Sequence, residues 1–161
     1  MDMTDQQAAT ASPVQKMASR RARLRQANLG ILIMLVIQYA LGIGVNLYVT
    51  LPPAGAAGRN SDLFFSNGPL LAIHAALGIL LVITAIVVVV RASVTRQVTL
   101  IVTSAAGLVA IIVAAIYGAN FTDKVTNGYS LGMALATAAA LACYAIGLFA
   151  ASARQTARAP D

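Results

Sequence analysis

The sequence predicts an all-α, polytopic membrane protein: four antiparallel transmembrane helices in an up-down bundle. Three observations predict it. Hydrophobic residues make up 59% of the 161 residues and charged residues 10%, with a mean hydropathy of +0.80, a composition outside the soluble globular range. Four stretches, about 29–50, 69–90, 98–119 and 129–151, are dominated by apolar residues and hold no Asp, Glu, Lys or Arg. Each is long enough to cross a hydrocarbon core of about 30 Å as a helix. The links after the second and third stretches are short, and short links join antiparallel neighbours.

Charge points the same way. The net charge is +6, but the basic residues bracket the apolar stretches instead of clustering with aromatic ones, so the expected partner is a lipid bilayer and not nucleic acid. The single cysteine, Cys143, lies in an apolar run, which excludes an intramolecular disulfide and a cysteine metal cluster.

Residues 1–28 are polar and turn basic at Lys16, Arg20, Arg21, Arg23 and Arg25. With so little apolar surface they read as a disordered, basic cytoplasmic tail, able to attract anionic headgroups at about 1 kcal/mol per cation. The first span, Leu29 to Thr50, stops at Pro52 and Pro53. A basic segment before an apolar run is also how a signal peptide begins, with Ala54-Gly55-Ala56 as its cleavage site, but this run exceeds the usual h-region. Gln38, Gly42 and Asn46 recur at helical spacing, so one face carries two amides that must point into the bundle, with Gly42 allowing close approach. That face serves as interhelical glue or lines a ligand or ion site.

A Pro/Gly/Ala-rich connection follows, with Phe64 and Phe65 as interfacial anchors. Asn67 and Gly68 then cap a second span that has Pro69 in its first turn. In the third span Thr99, Thr103 and Gly107 form one stripe and Ala106, Ala110, Ala114 and Gly118 another, the small-residue pattern of tight helix contacts. A loop over 120–128 leads to the alanine-rich fourth span, and 152–161 is a cytoplasmic tail.

Orientation follows from counting cations. The N-terminus, the second link and the C-terminus hold nine of the 11 Lys and Arg, leaving Arg59 and Lys124 in the other two loops, which places both termini in the cytoplasm. The two hairpins also correspond: Gly44-Val45-Asn46-Leu47 aligns with Gly118-Ala119-Asn120-Phe121, and Asn67-Gly68 with Asn127-Gly128, as in a parallel repeat. That alignment sets His74 opposite Ala134, so the second half lacks the histidine.

His74 is the one histidine and sits inside the second span. A titratable group at membrane depth is by default a functional hypothesis. The structural alternative is a neutral imidazole hydrogen-bonded to Asn46, Ser130 or Tyr117, making a polar cluster of Gln38, Asn46, His74, Tyr117 and Ser130 inside the bundle. A second alternative is b-type haem, with Gly78 giving the porphyrin room and Met133 at the same depth on the fourth span as the other ligand. A proton or ion role is the third. No phosphate loop, metal-spaced cluster or nucleophile motif is present, and every acidic residue lies outside the spans, so no catalytic residue is expected.

The strings Asn46-Leu47-Tyr48-Val49-Thr50-Leu51-Pro52, Ile73-His74-Ala75-Ala76-Leu77-Gly78, Gly118-Ala119-Asn120-Phe121 and Ser130-Leu131-Gly132-Met133-Ala134 resemble a family of small four-helix bacterial membrane proteins of no assigned function, common in high-GC Gram-positive bacteria. The resemblance covers roughly 29–151 and implies the four-helix fold and a plasma-membrane location. A fainter likeness is to one half of the haem A synthase bundle, from which this chain departs by having no second histidine. The functional expectation is a non-enzymatic accessory or interaction protein of the plasma membrane, with a membrane-protein partner or a homo-oligomer as its assembly. A haem b electron-transfer protein is the alternative, and an oligomeric small-solute or proton transporter the third.

Overall fold

The computed structural model describes residues 13–49, 69–124 and 126–156, which form four long helices: α1 (Pro13–Tyr48), α2 (Pro69–Val94), α3 (Val98–Lys124) and α4 (Asn127–Thr156). Each carries a segment of 26 or 27 residues long and apolar enough to cross a membrane. Neighbours in sequence are neighbours in space and α4 closes the ring on α1, while the diagonal pairs α1–α3 and α2–α4 nowhere bring Cα atoms within 8 Å. This is the up-down bundle that the sequence predicts.

The helices are longer than the apolar stretches. The sequence assigns 1–28 to a disordered tail, whereas α1 begins at Pro13, so 13–28 belong to the helix. These residues need no nucleus of their own: they extend a helix already formed, and their Arg, Ala, Gln, Leu and Met are good helix formers. Leu24 and Asn28 are also buried, with Leu24 packed among Ala92 and Leu100. Likewise α3 runs on to Lys124 and α4 from Asn127 to Thr156, where the sequence placed a loop over 120–128 and a tail from 152. Residues 1–12, the connection with Pro52, Pro53, Arg59, Phe64 and Phe65, the cap residues Asn67 and Gly68, and 157–161 lie outside the described residues. Between α2 and α3 the chain turns at Arg96, in the left-handed region at φ 53°, with Arg96 N–H donating to Ser93 O. A glycine is the usual occupant of such a helix end.

Side-chain volume is unevenly distributed along the bundle. At the end holding the start of α1 and the α2–α3 turn, here the base, Ile31, Leu35, Leu81, Ala85, Val88, Ile111, Ala140 and Tyr144 form one buried cluster, and Leu24, Ala92 and Leu100 another. At the opposite end, the mouth, the buried hydrophobics are Val45 and Leu71, which join α1 to α2. Beyond Ile111 on α3, and before Thr137 on α4, no described residue is buried. The mouth end of the α3–α4 hairpin is tied within itself: Lys124 Nζ donates to Tyr129 OH at 3.2 Å, and the Tyr117 ring lies 6.1 Å from that of Tyr129. Burial between the two hairpins is therefore concentrated at the base and thins toward the mouth.

The α3–α4 interface is the most extensive in the bundle. Glycines explain it, because the Tyr144 ring occupies the space a Cβ on Gly107 would need, with its Cε2 only 2.6 Å from that point, and Tyr117 does the same at Gly132 at 2.5 Å. Tyr144 is fully buried and cannot withdraw. Gly107→Ala is thus expected to destabilise the bundle by about 1–3 kcal/mol, read as a lower thermal transition in detergent. Gly30→Ala, where nothing lies within 4 Å, should leave it unchanged or raise it. A neutral Gly107→Ala would contradict this packing.

Candidate functional site

The site grows from one contact between α1 and α2. Gln38 Nε2 donates to the backbone carbonyl of His74 at 2.8 Å. A helical carbonyl has a second lone pair, but side chains normally screen it; here residue 78 is glycine, and Gln38 Nε2 lies 3.1 Å from where its Cβ would stand. The spacing of His74 and Gly78 is thus what lets the amide reach. The same nitrogen is 3.5 Å from His74 Nε2, and the imidazole in turn lies over Gly42, its Cε1 3.3 Å from that residue's would-be Cβ. Gln38 and Gly42 accordingly receive His74 from one side of α1, as their helical spacing requires.

Above this contact lies a cavity of about 480 Å³. All four helices line it, and its walls where they face one another are small: Gly42, Gly78, Ala114, Gly118 and Ala134. Helices held apart by bulky residues at the base cannot close over such surfaces, which is the physical origin of the space. Leu35, Leu81 and Ile111 line it as well and belong to the packed core, so it is blind toward the base. Its α1–α2 wall reaches the outer surface of the bundle, since Ile43, Leu47 and Ile79 also line it while 46%, 66% and 65% exposed. Among the described residues, none that lines it is Asp, Glu, Lys or Arg. The described residues hold no group of His, Cys, Asp and Glu able to bind a metal ion.

The residues singled out from sequence fall in two groups. Gln38, Asn46, His74, Ser130 and Met133 all line the one cavity. Tyr117 does not; its ring is held against Gly132 and Tyr129 on the α3–α4 surface. The partner of His74 is Gln38, not Asn46, Ser130 or Tyr117, and Asn46 is exposed at the cavity wall. Met133 extends across from α4 to bring its Cε within 4.0 Å of the same Gly42 position that His74 abuts, while its sulfur packs on Gly118 at 3.3 Å. Asn120, the repeat counterpart of Asn46, donates to Ile116 O on its own helix instead of facing the cavity.

A second polar locus, in the base, was not foreseen. Asn28 is 1% exposed and donates to Leu24 O at 3.1 Å, and its Oδ1 and the Thr103 hydroxyl both lie against Gly147. Ser104 and Tyr144 are buried within a turn of Thr103 and Gly147 on α3 and α4, while Thr137, also buried, lines the cavity. The available signal was the spacing of Leu24, Asn28, Ile31 and Leu35, which continues the inward face of α1 below the apolar stretch.

No family model, curated protein or solved structure matches this chain. The fold and site together define the class: a four-span membrane protein with a largely apolar cavity lined by all four helices.

The haem alternative makes a direct spectroscopic prediction. Nε2 of His74, the ring nitrogen 3.5 Å from the Gln38 amide, would have to exchange that contact for iron. With that amide retained as its partner, protein purified after growth with ample haem is expected to show no Soret band; a band abolished by His74→Ala would instead establish haem.

Proposed function

We propose that this protein is a non-enzymatic accessory protein of the plasma membrane that binds a lipid molecule in the cleft between its two hairpins. The cleft's lateral opening into the hydrocarbon carries this reading. The space measures about 480 Å³. In a bilayer such a space is filled by what lies beside it. The volume falls in the range of about 300–1,000 Å³ typical of small-ligand sites, and its mixture of apolar wall and a few placed polar groups is also typical.

The distribution of cations supports a base facing the cytoplasm and a cleft opening into the outer leaflet, and the resemblance to small four-helix proteins of high-GC Gram-positive bacteria agrees with a plasma-membrane setting. The blind floor weighs against conduction through a single copy, so transport is the weaker reading. For haem, the specific support is that His74 and Met133 both border Gly42.

The test is lipid retention. Native mass spectrometry of full-length protein in mild detergent is expected to show a bound lipid-soluble molecule, and Ala134→Phe, which fills the cleft, should reduce its occupancy by about fivefold or more with the thermal transition preserved. Equal retention by both proteins would remove the proposal.

A further inference from the structure

Charge is divided between the two ends of the bundle. Arg23, Arg25, Arg91 and Arg96 are exposed at the base, and Lys16, Arg20 and Arg21 continue the same charge along α1, as Arg154 does on α4. Among the described residues the one that is acidic, Asp123, lies at the mouth. The packing sets the level of the arginines. Leu24 is buried with Ala92 and Leu100, and Ala150 and Ala151 lie against them. Arg23 and Arg25 flank Leu24 in sequence and Arg91 precedes Ala92, so three arginines from two helices share one level of the bundle.

Depth identifies what these cations meet. The segments able to cross a membrane include Ala22–Tyr48, of 27 residues, and Pro69–Val94, of 26, so Arg23, Arg25 and Arg91 fall inside them, within four residues of the base end. Such a helix is about 40 Å long, against about 30 Å of hydrocarbon and about 40–45 Å with the headgroups included, which leaves its last turn in the headgroup layer. A guanidinium there extends away from the acyl chains and sets its charge among the phosphates. An acidic soluble protein would instead meet Lys16, Arg20 and Arg21, further out along α1. We propose that the base selects anionic phospholipids, with Arg23 and Arg91 donating to their phosphate oxygens. The planar fork of arginine can pair with two such oxygens at once. A zwitterionic headgroup brings its own cation into this already cationic layer, and an anionic one does not. The cleft, toward the other end of the bundle, takes no part in this selection.

Native mass spectrometry of full-length protein in mild detergent, titrated separately with phosphatidylglycerol, phosphatidylcholine and palmitate, tests this. Phosphatidylglycerol is expected to bind roughly fivefold tighter than phosphatidylcholine, the factor that one cation near the membrane surface supplies, and the advantage should shrink as salt is raised. Arg23→Gln combined with Arg91→Gln should abolish it with the thermal transition preserved. Lys16→Gln combined with Arg20→Gln and Arg21→Gln should leave most of it, and Ala134→Phe should leave all of it. Equal affinity for the two phospholipids in the native protein overturns the inference without any variant, as does palmitate binding as tightly as phosphatidylglycerol. An advantage that survives the loss of Arg23 and Arg91 overturns it too, and its disappearance with Lys16, Arg20 and Arg21 instead would assign the attraction to the helix beyond the bilayer.

Discussion

Inward-facing side-chain volume decides where these four helices touch. At the base, Leu35, Leu81, Ile111 and Tyr144 meet around a common centre and set the spacing of the helices. Toward the mouth the lining includes Gly42, Gly78, Ala114, Gly118 and Ala134, and Met133 is the long side chain that reaches from α4 toward α1. Since lipid tails are as apolar as the side chains, no hydrophobic force draws the hairpins together there; packing contacts alone would do so, and small residues supply them only where backbones already meet closely. Each hairpin is instead closed on itself, α1 to α2 through Val45 and Leu71, α3 to α4 through Gly132 and the Tyr117–Tyr129 pair.

Within that parted region the Gln38–His74 contact is the main polar investment. It satisfies one amide hydrogen and spends the spare lone pair of a backbone carbonyl, while leaving Gln38 Oε1 and His74 Nδ1 without partners. In a well-packed core those atoms would be a liability. Here both atoms lie on side chains that border the cavity. Met133, flexible and polarizable, is the side chain that reaches across from the other hairpin, and it can yield to an incoming molecule without moving a helix.

Architecture was legible because hydropathy reports helix count and length almost directly: the four uncharged stretches contain the cores of all four helices. Their ends were less so, as a helix may continue into water wherever good helix formers follow it, which is why 13–28 belong to α1. For the site, helical spacing brought out Gln38, Gly42, His74 and Gly78, and depth brought out Met133. What spacing does not contain is which neighbour a side chain selects. Asn46 and Gln38 lie on one face, but the missing Cβ of Gly78 is opposite Gln38, and that decides the partner. The buried Asn28 escaped notice because it stands just outside an apolar stretch, where polarity reads as exposure.

The parting of the hairpins is the feature on which the binding site depends, and collision of lipid-dissolved oxygen with spin labels measures it most directly. Single labels on the inward face of α3, introduced in a Cys143→Ser background in bilayers, would compare Ser104 and Ile111 at the base with Gly118 and Thr122 toward the mouth. Low accessibility at the first two and a clear rise at the last two is the predicted result. Uniformly low accessibility along the face would mean that the bundle is closed over its whole length, and there would be no cleft for a ligand to enter.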